Sequence, residues 1–427
     1  MKKKFKLDAI SKVEGHAKLT VEMSGNKVKT SNLEIYEASR YFEAMVRGKN
    51  CKEVHKISQR ICGICSVVHT VTALRAIENA LGVKPSKQTT DLRKILMYAS
   101  QVHSHTAHLF FFALPDYMGV SDAIEMSKKN KDHVHLAFDL QRVSSDIVKL
   151  IGGRAIHPVT PKVGGFYSVP DKEKMQEILE KTTEMKKLVT KAANIFVKIK
   201  IPEMERKTVH FAMDNSEEYT LFGKEMTNME RFSFKPEDYS KHIKEEIGRH
   251  SNAKYAFFNK KSYMVGALPR ININSEYLSK DAKKLLISTG FTPPIYNPFF
   301  NNIAQAIELV HFTDECIRIA KEYSNGMKEE NQRIRIKEGE GVAACEAPRG
   351  ILIHHYKIGK DGNITKANII TPTSQNAASM EDDIKSYLPM IIKHTDRKVK
   401  QLLEMILRAY DPCFSCSVHF LELKLKR

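Results

Sequence analysis

Two cysteine pairs dominate what this sequence can do chemically. One stands in Arg60-Ile61-Cys62-Gly63-Ile64-Cys65, with His69 four residues beyond. The other stands in Asp411-Pro412-Cys413-Phe414-Ser415-Cys416, with His419 three residues beyond. Two residues between cysteines let both sulfurs turn onto one ion. Two such pairs supply four thiolates, which suit a soft or borderline metal. On the cysteines alone, a structural zinc site is the more ordinary account. Cys51, Cys316 and Cys345 take no assigned role. Seven cysteines in 427 residues are odd in number and sparse, which argues against a disulfide framework and, in a reducing compartment, for metal.

The elements that must position these pairs follow from periodicity. Ala17 to Glu22 alternates in polarity, turns at Ser24-Gly25-Asn26 and returns over Val28 to Tyr36, a β-hairpin. Ser39 to Arg47 has helical spacing. Val67 to Leu81, directly after the first pair, is a helix stopped by Gly82. Thr89 to Leu114 is long, apolar and aromatic, and predicts a buried helix ending at Pro115. Ser121 to Ile151, Lys172 to Lys198 and Asn301 to Tyr323 are further helices. Residues 203–290 are mixed and highly charged, and read as a peripheral α+β region. Gly350 to Thr371 predicts a hairpin turning at Lys360-Asp361-Gly362-Asn363. Ala378 to Tyr410 is one or two helices, ended by Asp411-Pro412. The pairs lie at opposite ends of the chain, so a shared site draws 1–427 into one domain. The fold class expected is α+β, predominantly helical.

Composition narrows the function. With 42% hydrophobic and 28% charged residues the chain is globular rather than disordered. A net charge of +18 invites a nucleic-acid partner. The basic residues, however, interleave with glutamates along stretches such as Asp171 to Lys191, the pattern of solvated helix faces. No apolar run reaches the roughly 18–20 residues of a membrane span. The basic start, Met1 to Lys6, is not followed by an apolar stretch, so no signal peptide is read and a cytoplasmic location is expected.

The flanks of the pairs change the weighting. R-x-C-G-x-C-x-x-x-H near the front and D-P-C-x-x-C-x-x-H near the end closely resemble the two metal-binding motifs of [NiFe]-hydrogenase large subunits. Further ordered motifs carry the same resemblance: Val13-Glu14-Gly15-His16, Phe42-Glu43, Ser104-His105 to Leu114-Pro115-Asp116, Gly152 to Pro158, Glu346-Ala347-Pro348-Arg349-Gly350, and Pro372-Thr373 to Asn376. The length looks most like the soluble, cytoplasmic, multisubunit branch coupled to nicotinamide or deazaflavin. Two departures stand out: Lys12 where an arginine is usual, and the approach Cys51-Lys52-Glu53-Val54-His55.

The resemblance implies a large-subunit fold with a central helix bundle and small peripheral β-hairpins, and reversible heterolytic cleavage of hydrogen. It implies nickel held by all four cysteines. Cys62 and Cys413 would be terminal, and Cys65 and Cys416 would bridge to an iron carrying CO and two CN ligands. Cys413 would accept the proton first and Glu14 would relay it. Arg349 would lie over the open metal position, with Pro348, Thr373 and His69 around the cofactor. Asp116 and Asp411 would surround Arg349. Glu43, His419 and the Ile369 carbonyl would hold a magnesium (or iron) near the C-terminus. His103, His105 and His108 could suggest another metal, but only the last two share a helix face, and core packing is the better account. Implied partners are an iron–sulfur small subunit, diaphorase-type electron-transfer subunits, a chaperone, and an endopeptidase that removes 420–427 after His419. A zinc-stabilised scaffold and a hydrogen sensor stand as alternatives.

Overall fold

The computed structural model describes residues 2–248, 250–330 and 332–419; the tail expected to be cleaved lies outside them. The chain opens as three antiparallel strands, β1 (Lys2–Leu7), β2 (Ala17–Ser24) and β3 (Lys27–Ile35), in the order β1-β2-β3. β1 escapes the sequence pattern because its lysines hide the inward pair Phe5 and Leu7. A short helix over Phe42–Val46 follows, narrower than the predicted Ser39 to Arg47. Arg40 donates its N–H to Val418 O at 2.8 Å, so the chain before Phe42 is committed to the C-terminal segment instead.

Helix α1 (Ser66–Leu81) starts at Cys65 and stops at Gly82, whose φ of +69 is left-handed. Four long helices form the bundle: α2 (Lys87–Ala107), α3 (Lys131–Gly152), α4 (Lys172–Phe196) and α5 (Phe300–Glu322). α2 is capped by Ser86, which accepts from Thr89 N at 3.0 Å. The predicted stop at Pro115 does not occur. A wider π turn over His108–Ala113 leads into Leu114–Tyr117, where Pro115 falls in a first turn that needs no N–H from it. The predicted helix from Ser121 breaks into Ala123–Lys129 and α3, because Asn130 turns its side chain to cap His133 N.

A second three-stranded antiparallel sheet, β4 (Gly339–Ala347), β5 (Gly350–Ile358) and β6 (Ile364–Ile370), packs against α1. The β5–β6 hairpin turns where predicted; β4 is the strand the pattern misses. Its glycines and alanines carry little strand signal, yet they let α1 settle on its backbone. A Cβ on Gly341 would stand 2.2 Å from Ala76 O. Helices α6 (Pro372–Ile391) and α7 (Asp396–Ala409) complete the fold. Within 203–290 the strands are short, but the helix Ala267–Asn274 runs into the interior, with Arg270 fully buried.

Candidate metal centre

The four predicted thiols meet. Cys62 leaves a 3-10 turn in extended backbone, and Cys65 precedes the first turn of α1. Cys413 and Cys416 flank the start and middle of a second 3-10 turn after α7. Cys62 Sγ lies 3.8 Å from Cys413 Sγ although the two are 351 positions apart in the chain. The ligating atoms of Cys62, Cys413 and Cys416 lie within 4.8 Å of one another, as do those of Cys65, His69 and Cys416. All four cysteines are buried and none is in a disulfide. The other three thiols, Cys413 foremost, hydrogen-bond to Cys62 and hold it well below the ordinary thiol range. Burial holds Cys413 well above it. Four buried sulfurs gathered this closely, outside any disulfide, form a ligand set suited to a soft or borderline metal.

Glu14 reaches this cluster from the N-terminal segment. The Cys413 thiol donates to Glu14 Oε2 at 3.0 Å, Ser415 N donates to the same oxygen at 3.2 Å, and Ser415 Oγ donates to Glu14 Oε1. Glu14 and Cys413 also form a parallel backbone bridge, with Phe414 N on Glu14 O at 2.9 Å. A small enclosed cavity beside the thiols is lined by Pro348, Arg349 and Thr373 as well as His69. Thr373 Oγ1 accepts from Cys413 N at 3.0 Å, which leaves its own proton free to donate elsewhere. Arg349 is gripped from one side only. Its Nε donates to Asp411 O at 2.7 Å and its Nη2 pairs with Asp411 Oδ1 at 3.1 Å, while Nη1 is buried with no partner among the described residues. Burial works against this guanidinium's charge, and Asp411 with the cysteines outweighs it, so its pKa is raised. An unpartnered donor in that cavity fits a small anionic ligand.

The second proposed ion site gathers fewer groups. His419 is buried and neither ring nitrogen has a partner among the described residues, which suits a ligand. Glu43 Oε1 accepts from Ile369 N at 2.9 Å and from Lys254 Nζ at 2.7 Å. The resemblance points to the Ile369 carbonyl; the bond to Glu43 is made by its N–H. Glu43 already has the Lys254 ammonium beside its carboxylate, and among the described residues it does not form a metal-ligating group of three with His419.

A family model described as nickel-dependent hydrogenase matches residues 40–136 and 215–419. The chain is 34% identical to the alpha chain of sulfhydrogenase 1 from Pyrococcus furiosus, over 98% of each chain. This protein belongs to the nickel-dependent hydrogenase family. An F420-non-reducing hydrogenase subunit of Methanothermobacter thermautotrophicus is 29% identical over 99% of this chain and 96% of its own. Among solved structures, an NAD+-reducing [NiFe]-hydrogenase superposes with a TM-score of 0.87 at 22% identity, covering 98% of this chain and 99% of its own. A Ni-Fe-Se hydrogenase from D. vulgaris Hildenborough gives 0.80 at 23% identity, covering 98% and 100%. The chain is thus a hydrogenase large subunit, the catalytic one, and an oxidoreductase acting on hydrogen; the zinc-scaffold and sensor alternatives are not favoured.

Not every predicted residue of this hydrogenase chain stands where its motif implies. Among the described residues Asp116 forms no hydrogen bond or ion pair with Arg349. It accepts from Arg408 Nε at 2.6 Å and pairs with Lys12 at 2.6 Å, so it holds the end of α7 and the N-terminal segment together. Lys12 therefore keeps a cation's role. His103, His105 and His108 part company. His105 pairs with Glu308 at 2.8 Å, His108 bonds Gln305 and Arg408 O, and His103 Nδ1 lies 3.2 Å from Ser145 Oγ. Ser415 and Lys254 escape the sequence pattern. A serine between two cysteines signals nothing by itself, and one lysine among 68 basic residues is invisible until the fold buries it.

Proposed function

We propose that the four cysteines hold nickel, with Cys65 and Cys416 shared with an iron that carries CO and two CN ligands. What carries this reading is the meeting of two distant cysteine pairs with Glu14 hydrogen-bonded to Cys413. Such a metal pair, when bound, supplies the electron-rich, Lewis-acidic site at which hydrogen is polarised. The chain's own residues do the rest. Cys413 Sγ takes the first proton, and Glu14, 3.0 Å away, receives it and passes it outward. Arg349 and Thr373 donate to the iron's anionic ligands, Pro348 walls the cavity, and Asp411 fixes the guanidinium. His69 donates toward Cys416. Asp116 supports this ring of groups at one remove, through Arg408, whose carbonyl accepts from Asp411 N at 2.8 Å. Glu43, His419 and the Ile369 carbonyl hold magnesium, a hard cation that prefers oxygen and retained water.

Electrons leave through a partner. Among the described residues the only metal-ligating groups of three are those of the cysteine cluster itself, so no relay through this chain is evident. An iron–sulfur small subunit is the proposed acceptor, followed by diaphorase-type subunits, with a chaperone and a C-terminal endopeptidase serving assembly. We also take 1–427 as one domain and place it in the cytoplasm; no helix among the described residues is long and apolar enough to cross a membrane. Metal analysis together with infrared spectroscopy tests the reading. Nickel and iron in equal amounts, with bands of metal-bound CO and CN, are expected; zinc alone, without those bands, overturns it.

A further inference from the structure

A row of buried side chains leads away from the thiols into the β4–β6 sheet, and the hydrogen chemistry above uses only its first member. His69, in the first turns of α1, has a ring nitrogen within 4.8 Å of the sulfurs of Cys65 and Cys416 and lines the cavity with them. His69 Nδ1 lies 3.1 Å from His354 Nε2, and His354 Nδ1 lies 2.7 Å from Tyr356 Oη. His354 and Tyr356 are two apart on β5, so both side chains leave the same face of the sheet. His354 and Tyr356 are fully buried and His69 nearly so, and neither His69 nor His354 has any other side-chain partner among the described residues.

The row has a direction. A neutral imidazole carries one donor and one acceptor. A second charge on rings buried this deeply and lacking a carboxylate partner would be costly, so both stay neutral. His69 Nδ1 is engaged by His354, which leaves Nε2 as the nitrogen able to serve the sulfur; a metal-bound thiolate presents only lone pairs, so that nitrogen must be the protonated one, Nε2–H. His69 Nδ1 then accepts, His354 Nε2 donates, His354 Nδ1 accepts, and Tyr356 Oη donates. Every bond is determined once the sulfur is charged. Run backwards, the row would aim a lone pair at a thiolate.

We propose that His354 and Tyr356 are positioning residues that lock His69 in the tautomer that donates to the Cys416 sulfur, drawing electron density from that thiolate. The proposal rests on the nickel–iron reading. Its physical effect is on the metal rather than on folding, because hydrogen bonds to ligating sulfur tune the electron density and potential of the centre. A phenylalanine at 354 would fill much the same space without either nitrogen. A glutamine there could return an N–H near the position of Nε2.

Infrared spectra of the metal-loaded, full-length protein test this. His354→Phe is expected to move the CO and CN bands to lower wavenumber, as the thiolate regains its density, and His354→Gln to bring them back toward their original positions. Bands unmoved in His354→Phe, or moved to higher wavenumber, overturn the proposal. Should His354→Phe purify without bands, Tyr356→Phe decides: the same downward shift, smaller, supports the row, and unchanged bands overturn it. A wild-type protein that shows no such bands sinks the nickel–iron reading itself, and the row with it, and is thereby told apart from a row that merely has no effect.

Discussion

At the scale of the residue, the proposed site separates groups that would bind metal from groups that would move protons. Cys416 stands within ligating distance of both cysteine pairs. Exchanging it for serine replaces a soft thiolate by a harder, far less acidic hydroxyl. Cys416→Ser is expected to lose nickel along with activity, and full nickel occupancy in the purified variant would refute its place in the cluster. Glu14→Gln should behave differently. The amide keeps the contacts to Ser415 and loses the titratable proton, so metal content stays near normal while turnover and hydrogen–deuterium exchange with solvent both fall steeply. Exchange at the wild-type rate would mean the proton leaves by another route. The four cysteines are legible in sequence because their chemistry is carried by type and spacing. Asp116 is not, since a carboxylate's partner depends on which side of α7 it faces, and it meets Arg408 instead of Arg349.

At the scale of the element, the turn between β4 and β5 carries Arg349 to the cavity, and its geometry is demanding. Gly350 has φ of +127, and a Cβ there would stand 2.4 Å from Val265 Cγ2. Gly350→Ala is expected to destabilise the protein by about 1–3 kcal/mol through backbone strain and to displace Arg349. A lowered thermal midpoint checks the first, and altered CO and CN bands check the second; a variant with both unchanged would show that the turn tolerates a side chain. The hairpin after this turn is readable from Asp361 and Gly362. β4 is not, because the small residues that admit α1 also erase the alternation of a strand. The same holds for α2, whose π turn answers to tertiary contacts of His108 that no local pattern encodes.

At the scale of the molecule, one fully buried guanidinium ties the bundle to the site. Arg270 donates to Glu308 Oε1 at 2.6 Å and Oε2 at 2.8 Å, to Glu346 Oε2 at 2.8 Å, and to the carbonyls of Ala347 and Pro348 at 2.9 and 3.2 Å. Removing it strands two carboxylates, so Arg270→Met should cost about 3–5 kcal/mol, read as a drop in the denaturant midpoint. A midpoint within error of wild type would contradict the network. Acid should also weaken the fold. Burial pushes His55 and His311 down to about 4 and His210 to about 3. Unfolded, each titrates near 6.5. Between 6.5 and 4 the unfolded chain binds protons that the folded chain refuses, so stability present at neutral pH is lost as pH falls through that window. Thermal midpoints should decline from about pH 7 to about pH 5; a level or rising midpoint would count against it. None of this is legible from sequence, because burial of a given histidine or arginine is settled by the whole packing.

Cys413 stands 351 positions after Cys62, and that separation also sets a clock. At about 5–20 residues per second, a ribosome presents the second pair roughly twenty seconds to a minute after the first. Throughout that interval the nascent chain offers only two of the cluster's four thiols and no Glu14–Cys413 bridge. The complete four-sulfur cradle appears only when translation has passed Cys416. Acquisition of nickel in this site is therefore a report that translation has passed Cys416, and a chain stalled anywhere upstream of Cys413 remains a half-site.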